Sequence, residues 1–256
     1  MKKLIYLLLG LFIIVGISTG CSKKELSEGK DSKISFEATI IEAGEKSLLV
    51  TPDSESNEYK SSDKISISLS DMEITDKKGN NIETAKLKVL DRIKIYYGGE
   101  IMESYPAQIR ATSIERIGVN VLLDGYLALI DDIYNIDTGL NHDITTIAFD
   151  TTQWSNISQT EKELMFTLVQ EEYGMEVIEG TFEELAEEGI IDKENLNFEK
   201  GILIKISNIE YNEKKKTITC AIEKWRSGLG AIGAEDVKAK YDDGDWDITK
   251  QGNWIS

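Results

Sequence analysis

Histidine and cysteine, which carry much nucleophilic and zinc chemistry in proteins, are scarce in this sequence. The 256 residues contain one histidine, His142, and two cysteines, Cys21 and Cys220. A single histidine excludes a zinc site with several histidine ligands, and no serine lies in the G-x-S-x-G motif of a hydrolase elbow. We therefore predict a protein without catalytic residues, resident metal or cofactor.

Long apolar runs are also scarce, and residues 4–17 form the single example in the sequence. This run follows Lys2 and Lys3 and precedes Ser-Thr-Gly-Cys at residues 18–21. A charged start, an apolar middle and a small-residue end are typical of a secretory leader, and the run is shorter than the ~20 residues of a membrane-spanning helix. The sequence predicts that residues 1–20 are a signal peptide.

The cysteine placed directly after the small residues resembles the lipobox of a bacterial lipoprotein. That resemblance implies cleavage before Cys21 and a covalent lipid, a diacylglyceryl group with palmitate-type chains, on its sulfur. Two acyl chains give stable attachment to a bilayer. We expect the protein on the extracytoplasmic face of the cell membrane, with the polar residues 21–33 as a flexible tether.

Positive charge is scarce in the second half of the chain. The formal net charge is −3 over residues 21–117 and −16 over residues 118–256. Such an asymmetry indicates two units with different surfaces, which we place at 34–117 and 118–256. A surface this acidic repels phosphate, so nucleic acid is not expected as a partner.

Residues 34–117 have the pattern of short strands. Residues 34–40 and 47–50 flank a turn, residues 64–69 alternate strictly between polar and apolar, and two more strands follow at 92–97 and 108–114. A helical turn is predicted within residues 84–89. Five strands with a small helical element after the third predict a small OB-like β-barrel.

Two segments in this region carry a family resemblance. LDRIKIYYGG at residues 90–99 and ESYPAQI at residues 103–109 look like the signature of the YobA-like domain. That small domain occurs in uncharacterised secreted and lipoprotein sequences of Gram-positive bacteria. The resemblance covers about a third of the chain and implies a β-barrel on the extracytoplasmic side, without catalytic residues to carry over.

Residues 118–256 predict an α+β domain. Helical periodicity covers 122–135, Ser158 and Glu161 form a capping box for a helix ending at Gly174, and Thr181 begins a shorter helix. Strands follow at 201–211, 216–225, 235–241 and 246–250. Helices first and an antiparallel meander last predict helices on one face of a sheet, an element order similar to NTF2 and cystatin folds.

Four acidic or aromatic clusters in this half could form sites. Asp137, His142 and Asp143 could offer a mixed oxygen and imidazole metal site, although a solvated loop after the first helix is the simpler explanation. The Asp131-Asp132 pair with Asp137, and the aspartates of 242–247, do not have EF-hand spacing. Trp225 and Arg226 are residue types of binding hot spots, although a tryptophan at a strand end more often packs in the core.

Two further motifs have structural explanations. The GLGAIG sequence at residues 228–233 matches G-x-G-x-x-G, but only 23 residues follow it, too few for a dinucleotide-binding fold. Cys220 alternates with Ile218 and Ile222, which predicts a buried thiol on a strand.

These observations favour a binding or interaction module at the cell envelope, with an envelope protein or a small ligand as its partner. Two alternatives stay open. One is an envelope hydrolase with paired carboxylates in 118–256, since such pairs are defined by their separation in space. The other is a small-ligand sensor or carrier with an enclosed apolar cavity.

Overall fold

Two β-sheets and four helices make up the described part of this computed structural model, residues 34–70 and 72–256. The first sheet has seven strands: β1 (Ile34–Ala43), β2 (Ser47–Pro52), β3 (Ile65–Ser68), β4 (Glu73–Asp76), β5 (Asp91–Tyr97), β6 (Ala107–Ile109) and β7 (Ala111–Val119). A short helix, α1 (Asn57–Ser61), lies between β2 and β3, and a 3-10 turn at Thr84–Lys86 precedes β5.

Hydrogen bonds connect the first sheet in the order β4-β7-β5-β1-β2-β3-β6. The five predicted strands are present, but the prediction omitted β4 and did not foresee the break at Arg110 that separates β6 from β7. β4 escaped notice because only one of its four side chains, that of Ile74, is buried. The sequence predicted a closed barrel, but in this strand order the sheet is open, with β4 and β6 as its two edge strands.

The second sheet has six strands in the order β13-β12-β11-β10-β8-β9. They are β8 (Thr146–Asp150), β9 (Glu176–Glu179), β10 (Gly201–Asn212), β11 (Thr217–Ser227), β12 (Gly230–Asp242) and β13 (Asp245–Ile255). β10 to β13 form the predicted antiparallel meander, and Asp243 and Gly244 both have positive φ in the turn between its last two strands. The short β8 and β9 pair in parallel, which the sequence did not predict.

Three helices accompany this sheet: α2 (Val121–Asn135), α3 (Gln159–Tyr173) and α4 (Phe182–Glu187). α2 and α3 cover one face, where the main core includes Tyr126, Phe149 and Ile218. The expectation that all helices share one face is wrong for α4. Its Leu185 packs with Ala148 and other residues that alternate to the opposite face of the strands.

The two sheets belong to one compact unit and share contacts. Asn120 caps α2 by accepting a hydrogen bond from the backbone N–H of Leu123, and its amide donates to Thr39 Oγ1 and Glu161 Oε1 at 2.9 and 3.2 Å. Ile41 of the first sheet is buried in the core of the second. One buried side chain thus joins β1, α2 and α3.

Candidate functional site

A groove of about 1160 Å³, open to solvent, lies along one side of α2. Helix α2 forms its floor, with Leu127 and Ala128 half-buried there. The second half of α3 lines one side, and the start of β13 lines the other. Concave surfaces with apolar floors and a few polar groups are the usual form of binding sites.

Gly125 explains how Trp246 comes to lie against the helix. A Cβ atom at position 125 would stand 2.6 Å from Cη2 of Trp246 and 2.4 Å from Cδ1 of Ile218. The indole of Trp246 occupies this space and donates from Nε1 to Asp124 Oδ2 at 2.8 Å. The glycine in the middle of α2 therefore leaves room for Trp246, which lines the groove.

The α3 side begins with local helix signals. Ser158 and Glu161 form the predicted capping box, and Gly174 ends the helix in the left-handed conformation. At this end the ring of Tyr173 packs at a tilt against that of Tyr134 of α2, with ring centroids 4.0 Å apart. The Tyr173 hydroxyl donates to Asp131 Oδ1 at 2.9 Å, and burial together with this carboxylate raises the pKa of Tyr173.

The rim of the groove is acidic. Asp132 pairs with Lys250, which does not itself line the groove. Among the described residues that line it, none is Lys, Arg or His. A negative field in a concave site attracts cations and cationic segments of other molecules. The six carboxylates of the lining are Asp124, Asp131, Asp132, Glu171, Glu172 and Asp245.

Lys224 supports the far end of α2 from below. Its side chain is fully buried on β11, and Nζ donates to the carbonyl oxygens of Tyr134, Ile136 and Asp137 and to the side chain of Asn141. These include the carbonyls that a helix leaves unpaired at its C-terminus. Burial lowers the pKa of Lys224 to about 8, although the Asp137 carboxylate opposes this shift.

The three residues suggested for a metal site lie in the loop after α2. His142 and Asp143 are both mostly exposed, and Nδ1 of His142 lies 3.0 Å from Asp143 Oδ2. Asp137 begins a 3-10 turn in the left-handed conformation. Within the described ranges, no group of three or more His, Cys, Asp or Glu residues could hold a metal ion. The structure does not bring these three residues together.

Trp225 and Arg226 make internal contacts. Trp225 packs edge-on against Phe182 of α4, with centroids 5.1 Å apart. The Arg226 guanidinium donates to the backbone carbonyls of Leu140, His142 and Glu199. Their binding role stays a prediction, while their observed contacts join α4 and the loop after α2 to the sheet.

Cys220 is buried as the sequence predicts, and burial raises the pKa of its thiol to about 12. Cys21, the predicted lipidation site, lies outside the described residues. The glycine-rich segment 228–233 enters β12, where a Cβ at Gly233 would stand 2.5 Å from the Trp254 ring. The absence of a side chain there serves packing between β12 and β13.

A charged cluster that sequence reasoning missed lies at the end of β8. Asp150 is buried and pairs with Lys205 at 2.9 Å, and Lys205 stands opposite Glu223 on the neighbouring strand. Burial raises the pKa of Asp150, but hydrogen bonds from Thr152 and Lys205 outweigh it and lower the pKa overall. Burial raises the pKa of Glu223. In this cluster the positive charge of Lys205 compensates the carboxylates of Asp150 and Glu223.

No helix among residues 34–70 and 72–256 has the length and apolar character needed to cross a bilayer.

Comparisons with known proteins bear on the first sheet. Residues 37–117 match a family described as a protein of unknown function, DUF3221. The NMR solution structure of Bacillus subtilis YobA 21–120 is similar at 15% identity and a TM-score of 0.26, over 38% of this chain and 92% of that one. The search of curated proteins gave no match. Residues 37–117 are thus similar to a family of unknown function, and the described residues that line the groove lie outside this match except for Leu90.

Proposed function

We propose that this protein is a lipid-anchored, extracytoplasmic binding module of the cell membrane, and that its partner lies in the groove along α2. The observation that carries the proposal is the groove itself, an apolar floor bordered by six carboxylates. The leader and Cys21 support the anchor and its location. A binding role is preferred to hydrolysis because Asp131 and Asp132 are engaged by Tyr173 and Lys250.

The groove also favours a partner segment over an enclosed small ligand, because it is open along its length. A carrier for an apolar ligand needs a closed cavity that removes the ligand from water. The acidic lining instead suits a partner that keeps part of its own surface in solvent. An envelope protein is therefore the partner class that we propose.

We also propose that the first sheet has an OB-type fold and that the second sheet, with its helices, has an NTF2- or cystatin-like fold. In support of the first, only Arg110 separates β6 from β7, yet β6 pairs with β3 and β7 pairs with β5. One chain segment therefore reaches both sides of the β5-β1-β2-β3 ladder, as barrel closure requires. In support of the second, α2 packs across the antiparallel strands β11 to β13.

The binding site is tested by photo-cross-linking in intact cells that produce the lipidated protein. A benzophenone amino acid at Ala128, on the groove floor, is expected to give a discrete adduct with one envelope protein. The same amino acid at the exposed Lys214, in the turn between β10 and β11, is the matched control. Identical adduct patterns from both positions, or no adduct from position 128, would count against the groove as the binding site.

The anchor has its own test. Cys21→Ser is expected to move the protein from the membrane fraction to the soluble fraction, because serine offers no thiol for the diacylglyceryl group. Fractionation of cells followed by immunoblotting measures the distribution. Unchanged retention in the membrane fraction would refute lipidation at this position without bearing on the groove.

A further inference from the structure

The stripe of α2 that faces the groove has an apolar centre with a carboxylate at each end. Asp124 and Asp131 are seven residues apart, two turns or about 10 Å along the helix. Leu127 and Ala128 lie between them at the intervening helical positions, and all four residues line the groove. A surface complementary to this stripe therefore has apolar side chains at its centre and two positive charges, one on each side, about 10 Å from each other.

The dimensions of the groove fit one helix. From Asp124 to Asn135, both in the lining, α2 rises about 17 Å. A helix of that length and about 10 Å across occupies about 1300 Å³. A groove of about 1160 Å³ therefore accommodates most of such a helix and leaves its outer face in water.

The distribution of charge selects the chemistry of the occupant. Glu171 and Glu172 stand on the α3 side and Asp245 on the β13 side, so carboxylates border the apolar floor from both directions. These carboxylates are dispersed, since no three His, Cys, Asp or Glu side chains among the described residues lie close enough together to bind one metal ion. Dispersed charge matches an extended cationic partner better than a single ion.

Two other occupants fit less well. A second copy of the chain would bring together two surfaces of the 118–256 region, which carries a net charge of −16, and like charges at an interface oppose association. A small polyamine matches the rim but leaves Leu127, Ala128 and Trp246 uncovered. A segment with both basic and apolar side chains covers both parts of the groove.

Resting on the proposed function above, we infer that the groove binds a basic amphipathic helix of a partner protein, laid along α2 between α3 and β13. The helix presents apolar side chains to Leu127, Ala128 and Trp246, and basic side chains two turns apart to Asp124 and Asp131. This is the helix-in-groove mode of recognition, in which apolar anchors recur at helical spacing.

The test measures binding of labelled synthetic peptides to the protein extracted from membranes in a mild nonionic detergent. The probe is a 14-residue helical peptide with two leucines on one face and lysines seven positions apart that flank them. A peptide of identical composition with those positions shuffled is its control. Fluorescence anisotropy is expected to show at least tenfold tighter binding of the patterned peptide.

Two protein variants locate the binding. Glu171→Gln with Glu172→Gln removes charge from the groove and is expected to weaken binding of the patterned peptide at least fivefold. Glu187→Gln with Glu188→Gln removes the same charge at α4 and is expected to leave binding unchanged. Raising the salt concentration is expected to weaken binding in proportion to the ion pairs formed.

The outcomes separate this inference from the proposed function. Equal binding of patterned and shuffled peptides, or displacement of the patterned peptide by equimolar spermidine, would overturn the helix, because charge alone would then explain the affinity. Equal weakening by both pairs of substitutions would do the same. The cross-link from position 128 in cells would still stand in each case. Loss of that cross-link, by contrast, would overturn the groove as the binding site.

Discussion

Replacing Lys224 by methionine is expected to lower the free energy of unfolding by about 3 kcal/mol at pH 7, since it leaves several part-buried acceptors without their charged donor. Methionine keeps the unbranched stem of lysine, so the substitution tests the ammonium group more than the packing. Nζ serves three backbone carbonyls and Asn141 at the end of α2. Urea unfolding followed by circular dichroism measures the change.

The Lys224 substitution also has a signature in pH. The folded-state pKa of Lys224 is about 8, below the ordinary lysine value of 10.5. Between these values the unfolded chain binds more protons than the folded chain, so the contribution of Lys224 to stability rises with pH. Relative to Lys224→Met, the wild-type protein is expected to gain about 2 kcal/mol of stability between pH 7 and pH 9.5.

Comparison of the two proteins at each pH cancels the titration of the groups that they share. This matters because Cys220 also titrates in this range. Its pKa is raised from 9.0 to about 12 in the folded protein, so the contribution of Cys220 to stability falls as the pH rises above 9.0. Lys214→Met, at an exposed position, is the control for loss of a lysine and is expected to change stability by less than about 0.5 kcal/mol. A stability gap that is constant or narrows as the pH rises would contradict the prediction.

Replacing Gly125 by valine is expected to destabilise the fold by about 3 kcal/mol, because overpacking of a filled interior forces neighbouring groups to move. The space that its side chain needs holds Cδ1 of Ile218 and the ring of Trp246. Intrinsic helix propensity predicts the opposite sign, since glycine is the poorer helix former of the two. Urea unfolding decides between packing and propensity.

The same substitution is expected to alter the groove. Displacement of Trp246 breaks its hydrogen bond to Asp124 and removes part of the apolar floor, so binding of the patterned peptide should weaken at least tenfold. Ala128→Val, one helical turn away, is the control for stability, because β-branching alone costs roughly 0.5 kcal/mol there. Gly125→Val with unchanged stability and an unchanged tryptophan emission spectrum of the protein would contradict the packing explanation.

Local signals predicted the elements that depend on neighbouring residues. The capping box at Ser158, the left-handed end of α3 at Gly174 and the Asp243-Gly244 turn all formed where the sequence placed them. Each is decided within a few residues, by a side chain that bonds a nearby N–H or by a glycine that accepts positive φ. The alternation around Cys220 likewise gave its burial.

Elements whose partners are distant in sequence were missed. β4 and β9 are strands because they pair with β7 and β8, and neither has enough buried side chains to show a pattern. The placement of α4 on the opposite sheet face follows from contacts with Phe198 and Leu203. The break at Arg110 is likewise a product of two different pairings.

The residues of the groove and its support also differ in how clearly the sequence indicates them. The stripe of α2 with Asp124, Leu127, Ala128 and Asp131 is readable from helical periodicity, and the acidity of the second half from its composition. Lys224 gave a weaker signal, as a lysine that alternates with Ile222 toward the buried face of a strand. Trp246 gave none, because its position depends on the space at Gly125, more than a hundred residues earlier.

The sequence by itself determined the strand-rich first half, the two capped helices and the C-terminal meander, and it predicts the leader with Cys21. Only the tertiary structure decided which side chains meet: that Gly125 admits Trp246, that Lys224 bonds the end of α2, and that six carboxylates border one apolar floor. The physical reason is range. Capping, turns and periodicity act over a few residues, whereas a groove is formed by the packing of segments that the chain keeps far apart.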